Sequence, residues 1–233
     1  SIFGHFSYPK YSAPIARIAQ KHQVSYHQYA DDTQLYVICD NSNVEAKKEV
    51  LEKCIEEVRS WSTSNMVKLN DSKTEFLVIS SKFSRNKPNV ESIEIGEETV
   101  HAVHAARNIG VIMDSNLMMV DHVSSICKSS YAQLRNISQI RKYLTQDATA
   151  TLVHSLVISR LDSMNSLLIG QPDNVISKLQ KIQNHAAKVV VKKRKHDHVT
   201  PILQSLHWLP IAYRIQYKLI LTTHKCLHDK APE

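Results

Sequence analysis

The chain has 233 residues, of which 42% are hydrophobic and 22% charged, and its formal net charge is +7. This hydrophobic content excludes an intrinsically disordered chain and allows one sizeable core or two small ones. Four glycines and 6% aromatic residues argue against a glycine-rich β-barrel. A mostly helical α+β protein is therefore expected.

Cysteine spacing and hydropathy exclude two further classes. The four cysteines show no paired spacing and form no zinc-ligand array with histidines, so reduced thiols are predicted. No apolar run approaches the ~20 residues that a membrane-spanning helix needs, and the N-terminus lacks a signal pattern. A soluble intracellular protein, nuclear or cytoplasmic and without a membrane partner, is expected.

The segment Tyr29-Ala30-Asp31-Asp32 is predicted to form the tip of a β-hairpin. Alternating apolar residues at 24–28 and 34–38 predict its two strands. The adjacent carboxylates of Asp31 and Asp32 offer the oxygen ligands that divalent metal ions prefer, which suits phosphoryl-transfer chemistry. The alternative is that both are ordinary turn residues, because aspartate is common in turns.

Further elements are predicted up to residue 118. Residues 42–45, Ser-Asn-Val-Glu, have the spacing of a capping box, and apolar residues at helical spacing behind them predict a helix to about Trp61. A turn at Asn70-Asp71 and a strand at 74–80 follow. Residues 82–98 predict a loop and a short hairpin, ahead of a segment around Gly110. Residues 1–118 are expected to form the first domain.

From Val120 the apolar period changes to 3.6, which predicts three or four antiparallel helices in residues 119–233. The first helix carries an apolar stripe that includes Tyr131, and the second is predicted from about residue 147 to 168. The third is predicted to begin near Val175 and to end in the basic run at 192–195. Basic residues on or after these helices are candidate nucleic-acid contacts: Lys128, Arg135, Arg141, Lys142, Lys188, Lys192, Lys193, Arg194 and Lys195.

Charge is distributed unevenly along the chain. Residues 1–118 hold 13 Lys and Arg against 15 Asp and Glu, a net −2, and residues 119–233 hold 16 against 7, a net +9. A clustered positive surface predicts salt-sensitive nucleic-acid binding, and the alternative is a solubilising face. The run from Lys192 to Lys195 also fits a nuclear-targeting segment or a solvated helix end.

Ordered sequence blocks resemble the reverse transcriptases of non-long-terminal-repeat (LINE-type) retrotransposons. The string YADDTQLY at 29–36 is similar to their polymerase palm signature, and NIGVIMD at 108–114 is similar to their primer-grip hairpin. Further blocks in the family's order are WSTSNMVKLN at 61–70, KTEF at 73–76, SRLD at 159–162, LQKIQN at 179–184, LHWLP at 206–210 and RIQYK at 214–218.

The resemblance implies a partial polymerase palm in residues 1–118, an antiparallel sheet with flanking helices, and an all-helical thumb-like module in 119–233. It implies two-metal nucleotidyl transfer with Mg²⁺ or Mn²⁺, an RNA template, a DNA primer and deoxynucleoside triphosphates. Asp31 and Asp32 would be catalytic metal ligands, and Tyr29 and Ala30 would shape the turn. Lys73 would act as the general acid toward pyrophosphate, and its alternative is a strand-end surface lysine.

The resemblance also bears on activity. Residues 1–4 are similar to the end of a template-handling motif, so the family's fingers and third palm aspartate are expected upstream, and the chain alone is not expected to be active. Pro9 and Pro14 are expected to interrupt a helix, and Ser163-Met164 replaces the family's usual Tyr-Cys. The alternatives are a catalytically inactive RNA- or DNA-binding remnant and a relic without function.

Overall fold

A computed structural model describes residues 2–30, 32–67, 69–70, 73–84, 88–194 and 196–231, with side chains from residue 11 onward. The fold is mixed α+β with small sheets, as the composition predicts. The chain divides into two compact units, Ser1–Leu117 and Met118–Glu233. Each unit is described by itself.

Unit 1 combines two long helices with short antiparallel hairpins. Its elements, in chain order, are α1 (Ile2–Lys21), β1 (Ser25–Tyr29), β2 (Asp32–Tyr36), α2 (Val44–Ser64), β3 (Phe76–Leu77), β4 (Ser92–Ile95), β5 (Glu98–Val103), β6 (Ala105–Asn108) and β7 (Val111–Asp114). β1 pairs with β2, β6 pairs with β7, and β5 lies between β3 and β4.

The core of unit 1 lies where α1 and α2 pack together. It consists of the buried side chains Ile15, Ile18, Ala19, Val24, Leu51, Cys54 and Val58. At the edge of this core, Lys21 and His22 contact the Glu57 carboxylate, each at 2.7 Å. Hydrogen bonds from these two side chains hold the pKa of Glu57 below its ordinary value, because they stabilise the ionised form.

Two local predictions for unit 1 are wrong. The helix α1 continues through both Pro9 and Pro14, so neither proline ends it. The capping box does not form, because the N-cap residue of α2 is Asn43 and its side chain makes no capping hydrogen bond. Instead, the Ser42 backbone N–H and hydroxyl donate to the Asp40 carboxylate and hold its pKa below the ordinary value.

The strand predicted at 74–80 is also shorter than expected. Only Phe76–Leu77 forms β3, which pairs in parallel with Ala102 and Val103 of β5. The adjoining hairpin of β4 and β5 begins within the loop-and-hairpin segment predicted at 82–98 but continues beyond it to Val103. It turns at Gly96, whose φ is +63°. In the parallel register Leu77 already pairs with Val103, the last residue of β5, so β3 has no further partner residue of β5 beyond Leu77.

The regular elements among the described residues of unit 2 are all helical. Its elements, in chain order, are α3 (Val120–Ile140), a 3₁₀ turn (Arg141–Tyr143), α4 (Gln146–Val153), a π segment (His154–Ile158), α5 (Ser159–Asp162), a 3₁₀ turn (Asn165–Leu168), α6 (Asp173–Val190), α7 (Thr200–Ser205) and α8 (Ile211–Leu227). The single helix predicted over 147–168 is therefore interrupted. It stops at Asp162 because Ser163 is extended and Met164 has a left-handed φ of +52°.

The core of unit 2 is built around α6. The helix packs against α3, α4, α7 and α8, and its buried face includes Leu179, Ile182 and Val190. On α3 the predicted stripe is only partly buried. Val123, Ile126, Leu134 and Ile137 are in the core, whereas Tyr131 is 43% exposed.

Polar side chains connect the sequence blocks of unit 2. Arg214 on α8 makes a two-pronged ion pair with the Asp162 carboxylate at the end of α5. Gln180 on α6 accepts a hydrogen bond from the Ile211 backbone N–H at 2.8 Å. The amide of Gln183, which is fully buried, donates to the Leu209 carbonyl at 2.8 Å. These contacts hold α8 against α5 and α6.

Candidate functional site

The first candidate site is the tip of the β1–β2 hairpin. The strands pair antiparallel with Tyr29 opposite Asp32, which leaves a two-residue turn. Ala30, the first turn residue, has a left-handed φ of +53°. Asp32 is the exposed first residue of β2, and Tyr29 is 63% exposed. Asp31 lies outside the described residues.

The hairpin is anchored at its base and open at its tip. Tyr26 and Leu35 are directly opposite each other, and both pack against the core of unit 1. Such cross-strand pairs stabilise a hairpin and fix its register. With the register fixed, the Asp32 carboxylate stays at the exposed end of the hairpin.

The chemistry of this tip fits a divalent cation as part of a ligand set. A carboxylate supplies the hard oxygen ligands that Mg²⁺ and Mn²⁺ prefer, and no ion pair joins Asp32 to another described residue. Within the described ranges, no group of three or more His, Cys, Asp or Glu side chains is arranged to hold a metal ion. Asp31 is outside those ranges.

The structure places Lys73 on the surface. Its backbone N–H donates to the Asn70 carbonyl at 3.0 Å, and its side chain is exposed. No hydrogen bond or ion pair among the described residues joins Lys73 to Asp32. A role as a general acid therefore stays a prediction.

The blocks at 73–76 and 108–114 contact each other. The Glu75 carboxylate accepts a hydrogen bond from the Arg107 backbone N–H on β6 at 3.2 Å. Gly110 lies in the two-residue turn between β6 and β7 with a φ of +81°, next to Ile109 at +44°. A turn with two left-handed residues favours glycine. The structure therefore gives Gly110 a conformational reason to be in this hairpin.

A second acidic doublet lies at the tip of another hairpin in unit 1. Glu97 is the second turn residue between β4 and β5, and Glu98 is the first residue of β5. Asp32 has the corresponding position as the first residue of β2. An acidic residue therefore begins the second strand of both hairpins, and each is preceded in the sequence by another acidic residue. The Glu97-Glu98 pair is a matched control for tests of the aspartates.

The second candidate site is the basic surface of unit 2. Among the predicted contacts, Lys188 is half-buried and Lys195 lies outside the described residues. Six of the predicted contacts are exposed: Lys128, Arg135, Lys142, Lys192, Lys193 and Arg194. Lys192 to Arg194 follow the end of α6 at Val190 rather than forming its last turn. The Asp197 carboxylate accepts from the Arg194 backbone N–H at 2.7 Å, so this run is part of a turn.

Arg141 does not belong to this exposed surface. Its guanidinium is buried and donates to the carbonyls of Val189 at 2.9 Å, Val190 at 2.7 Å and Leu144 at 2.8 Å. The last carbonyls of a helix lack partners within that helix, and the forked guanidinium supplies donors to two of them at the end of α6. Arg141 therefore connects α6 to the end of α3.

The structure also brings together residues that the sequence reasoning missed. Tyr131 on α3 and His185 on α6 make an edge-to-face ring contact, with centroids 6.1 Å apart. Lys178 and Lys181 are exposed on α6. They lie about two turns and one turn before His185, respectively. The sequence does contain a pattern that indicates this face: the polar residues 178, 181, 185 and 188 are three or four positions apart, which places them on one side of a helix.

The chain was compared with protein-family models, with curated proteins and with solved structures, and no match was found in any of the three. Across the described residues, the helices all fall short of the length and apolarity that crossing a membrane requires.

Proposed function

We propose that the chain is part of an RNA-directed DNA polymerase of a retrotransposon, with palm elements in unit 1 and a thumb-like module in unit 2. The observation that carries the proposal is the YADD string at the open tip of an anchored hairpin, with Asp32 exposed as the first residue of β2. Its reaction would be attack of a primer 3′-hydroxyl on a deoxynucleoside triphosphate, directed by an RNA template, with release of pyrophosphate.

In this proposal Asp31 and Asp32 hold Mg²⁺ or Mn²⁺. The bound ion would supply charge neutralisation at the triphosphate and a lowered pKa of the attacking hydroxyl. The hairpin's own contribution is to present the carboxylates at a fixed position, because its base is packed against the core. Tyr29 lies opposite Asp32 in the hairpin and would offer its exposed ring to the primer end.

The charge of unit 2 supports the second part of the proposal. Its residues carry 16 Lys and Arg against 7 Asp and Glu, and positive charge of this density attracts a phosphate backbone. Helices that follow a hybrid duplex contact its phosphates and sugars rather than its bases. The same observation favours the alternative function, a catalytically inactive module that binds RNA or DNA.

Manganese-induced line broadening tests the hairpin directly. With backbone NMR signals assigned, substoichiometric Mn²⁺ is expected to broaden the amides of residues 28–34 first. Asp31→Asn/Asp32→Asn should abolish this broadening, because it replaces both carboxylates with neutral amides of about the same size. Glu97→Gln/Glu98→Gln is the matched control and should leave broadening at 28–34 unchanged. Equal broadening at both hairpin tips would contradict a specific site.

Primer extension and hybrid binding on the same samples separate the two functions. Extension of a DNA primer on an RNA template that is lost in Asp31→Asn/Asp32→Asn supports the polymerase. Hybrid binding together with specific broadening, but without extension, supports a chain that carries polymerase parts. Hybrid binding without specific broadening supports the alternative, an inactive module that binds nucleic acid. If neither hybrid binding nor specific broadening is observed, the proposal is overturned.

A further inference from the structure

The faces of α3 and α6 that lie beside each other carry exposed polar and aromatic side chains at helical spacing. On α3 these are Lys128, Tyr131, Arg135, Ser138 and Gln139, and on α6 they are Lys178, Lys181 and His185. The two helices pack against each other, and both bury apolar residues, such as Leu134 on α3 and Ile182 on α6. The lysines Lys128, Lys178 and Lys181 share, by helical spacing, the faces of the residues that line one groove between the helices.

A cavity of about 560 Å³, open to solvent over most of its extent, lies in this groove. Tyr131, Arg135, Ser138 and Gln139 line it from α3, and His185 lines it from α6. The Tyr131–His185 ring contact forms part of its wall, and the cavity has the size of a small-ligand cleft. It therefore combines two aromatic rings, one guanidinium and two neutral hydrogen-bonding side chains.

The charge of the groove has one sign. After Asp121 in the first turn of α3 there is no further acidic residue in that helix, and α6 has none after Asp173. The Lys178 charge acts on the pKa of Cys127, opposing the larger upward shift that burial causes, which places Lys178 close to α3. A groove with cations on both sides and no carboxylate between them selects an anionic ligand.

We propose that this groove binds single-stranded nucleic acid, with one unstacked base against Tyr131 and His185 and the neighbouring phosphates on Arg135 and Lys181. Aromatic rings interleaved with cations are the arrangement that holds single strands, since every base has a face to stack and every linkage a charge. In a duplex the bases are stacked on each other and cannot enter the cavity. The inference rests on the proposed function and deepens it, because it assigns the groove to an unpaired strand rather than to the hybrid.

Fluorescence anisotropy with three labelled probes tests the inference. The probes are oligouridine of about twelve nucleotides, an abasic strand of the same length and charge, and an RNA–DNA hybrid. We expect the chain to bind oligouridine at least about five-fold more tightly than the abasic strand, because loss of one base–aromatic stack costs about that much or more.

Variants at position 131 isolate the stacking contribution. Tyr131→Ala should reduce the ratio of abasic to oligouridine Kd to about one, and Tyr131→Phe should restore it, since the ring alone stacks. Tyr213→Ala, which removes another exposed tyrosine of unit 2 (59% exposed), is the matched control and should leave the ratio unchanged. Arg135→Gln should weaken the binding of oligouridine and of the abasic strand equally, because it removes a phosphate contact that both strands make.

The outcomes distinguish the inference from the proposed function. A ratio near one in the unmodified chain, or a ratio that Tyr131→Ala leaves intact, overturns the inference. If the hybrid still binds with specific manganese broadening in the hairpin, the proposed function stands without it. If the ratio depends on Tyr131 but neither hybrid binding nor broadening occurs, the single-strand site stands and the polymerase proposal fails.

Discussion

At the scale of single residues, Arg141 shows how one side chain changes role when its surroundings are known. The sequence groups it with Lys128, Arg135 and Lys142 as the basic side of the first helix predicted after residue 119. In the structure Lys142 is exposed over the Tyr143 ring, 4.8 Å from its centroid, whereas Arg141 is buried with three carbonyl acceptors. The deciding partners are in α6, nearly fifty residues away, and no local pattern points to them.

Replacing Arg141 is therefore expected to destabilise unit 2 rather than to weaken nucleic-acid binding. Arg141→Met would remove the guanidinium donor from the Val190 and Leu144 carbonyls and leave Val189 O with only the long 3.5 Å bond from the Lys192 backbone N–H, at a cost of about 3 kcal/mol. Arg141→Lys keeps the charge but not the fork, so it should recover only part of that loss. Urea unfolding followed by the fluorescence of Trp208, in a Trp61→Phe background, reports on unit 2.

Lys142→Met is the control for this prediction. Its side chain is exposed, so the change should stay within about 0.5 kcal/mol. Equal stability of the Arg141 and Lys142 variants would show that the buried hydrogen bonds contribute nothing. A folded Arg141→Met protein with a reduced salt dependence of binding would return Arg141 to the nucleic-acid surface.

At the scale of elements, the β1–β2 hairpin carries a conformational cost at Ala30. An alanine in the left-handed region is strained by roughly 1–2 kcal/mol, and Ala30 has a φ of +53°. Ala30→Gly removes this strain but loses more chain entropy on folding. We expect a net stabilisation of unit 1 of about 0.5 kcal/mol, measured by urea unfolding with Trp61 fluorescence in a Trp208→Phe background.

Ala46→Gly provides the matched substitution for this test. Ala46 lies within α2 and is exposed, and glycine is less favourable than alanine in a helix by up to about 1 kcal/mol. The two glycine variants should therefore shift stability in opposite directions. A loss of stability in Ala30→Gly would mean that the turn gains nothing from glycine.

The elements also show what sequence patterns determine and what they do not. The hairpin around Ala30 and the apolar face of α6 follow from local alternation and helical period, and both form. The strand at 74–80 is shortened to two residues because its length depends on β5, which is distant in sequence. Tyr131 fits the α3 stripe by spacing but is exposed beside His185, since only the packing of α6 fixes where that stripe ends.

At the scale of the whole molecule, the position of the charge matters more than its total. The chain has a net charge of +7, yet residues 1–118 carry −2 and residues 119–233 carry +9. Binding to phosphates depends on cations that lie close to them, within a Debye length of about 10 Å at 0.1 M salt. Removing the same number of lysines from the two units should therefore have different effects.

Lys178→Gln/Lys181→Gln in unit 2 and Lys53→Gln/Lys82→Gln in unit 1 test this expectation, because each pair replaces two exposed lysines and leaves the same net charge. Binding of a single-stranded oligonucleotide is measured across a range of salt concentrations. The slope of log K against log salt is negative, and the unit 2 pair should reduce its magnitude by about 1.4, since each lost contact to a single strand removes about 0.7. The unit 1 pair should leave the slope unchanged. Equal reductions in both pairs would show that the total charge of the chain, rather than the α3–α6 groove, controls binding.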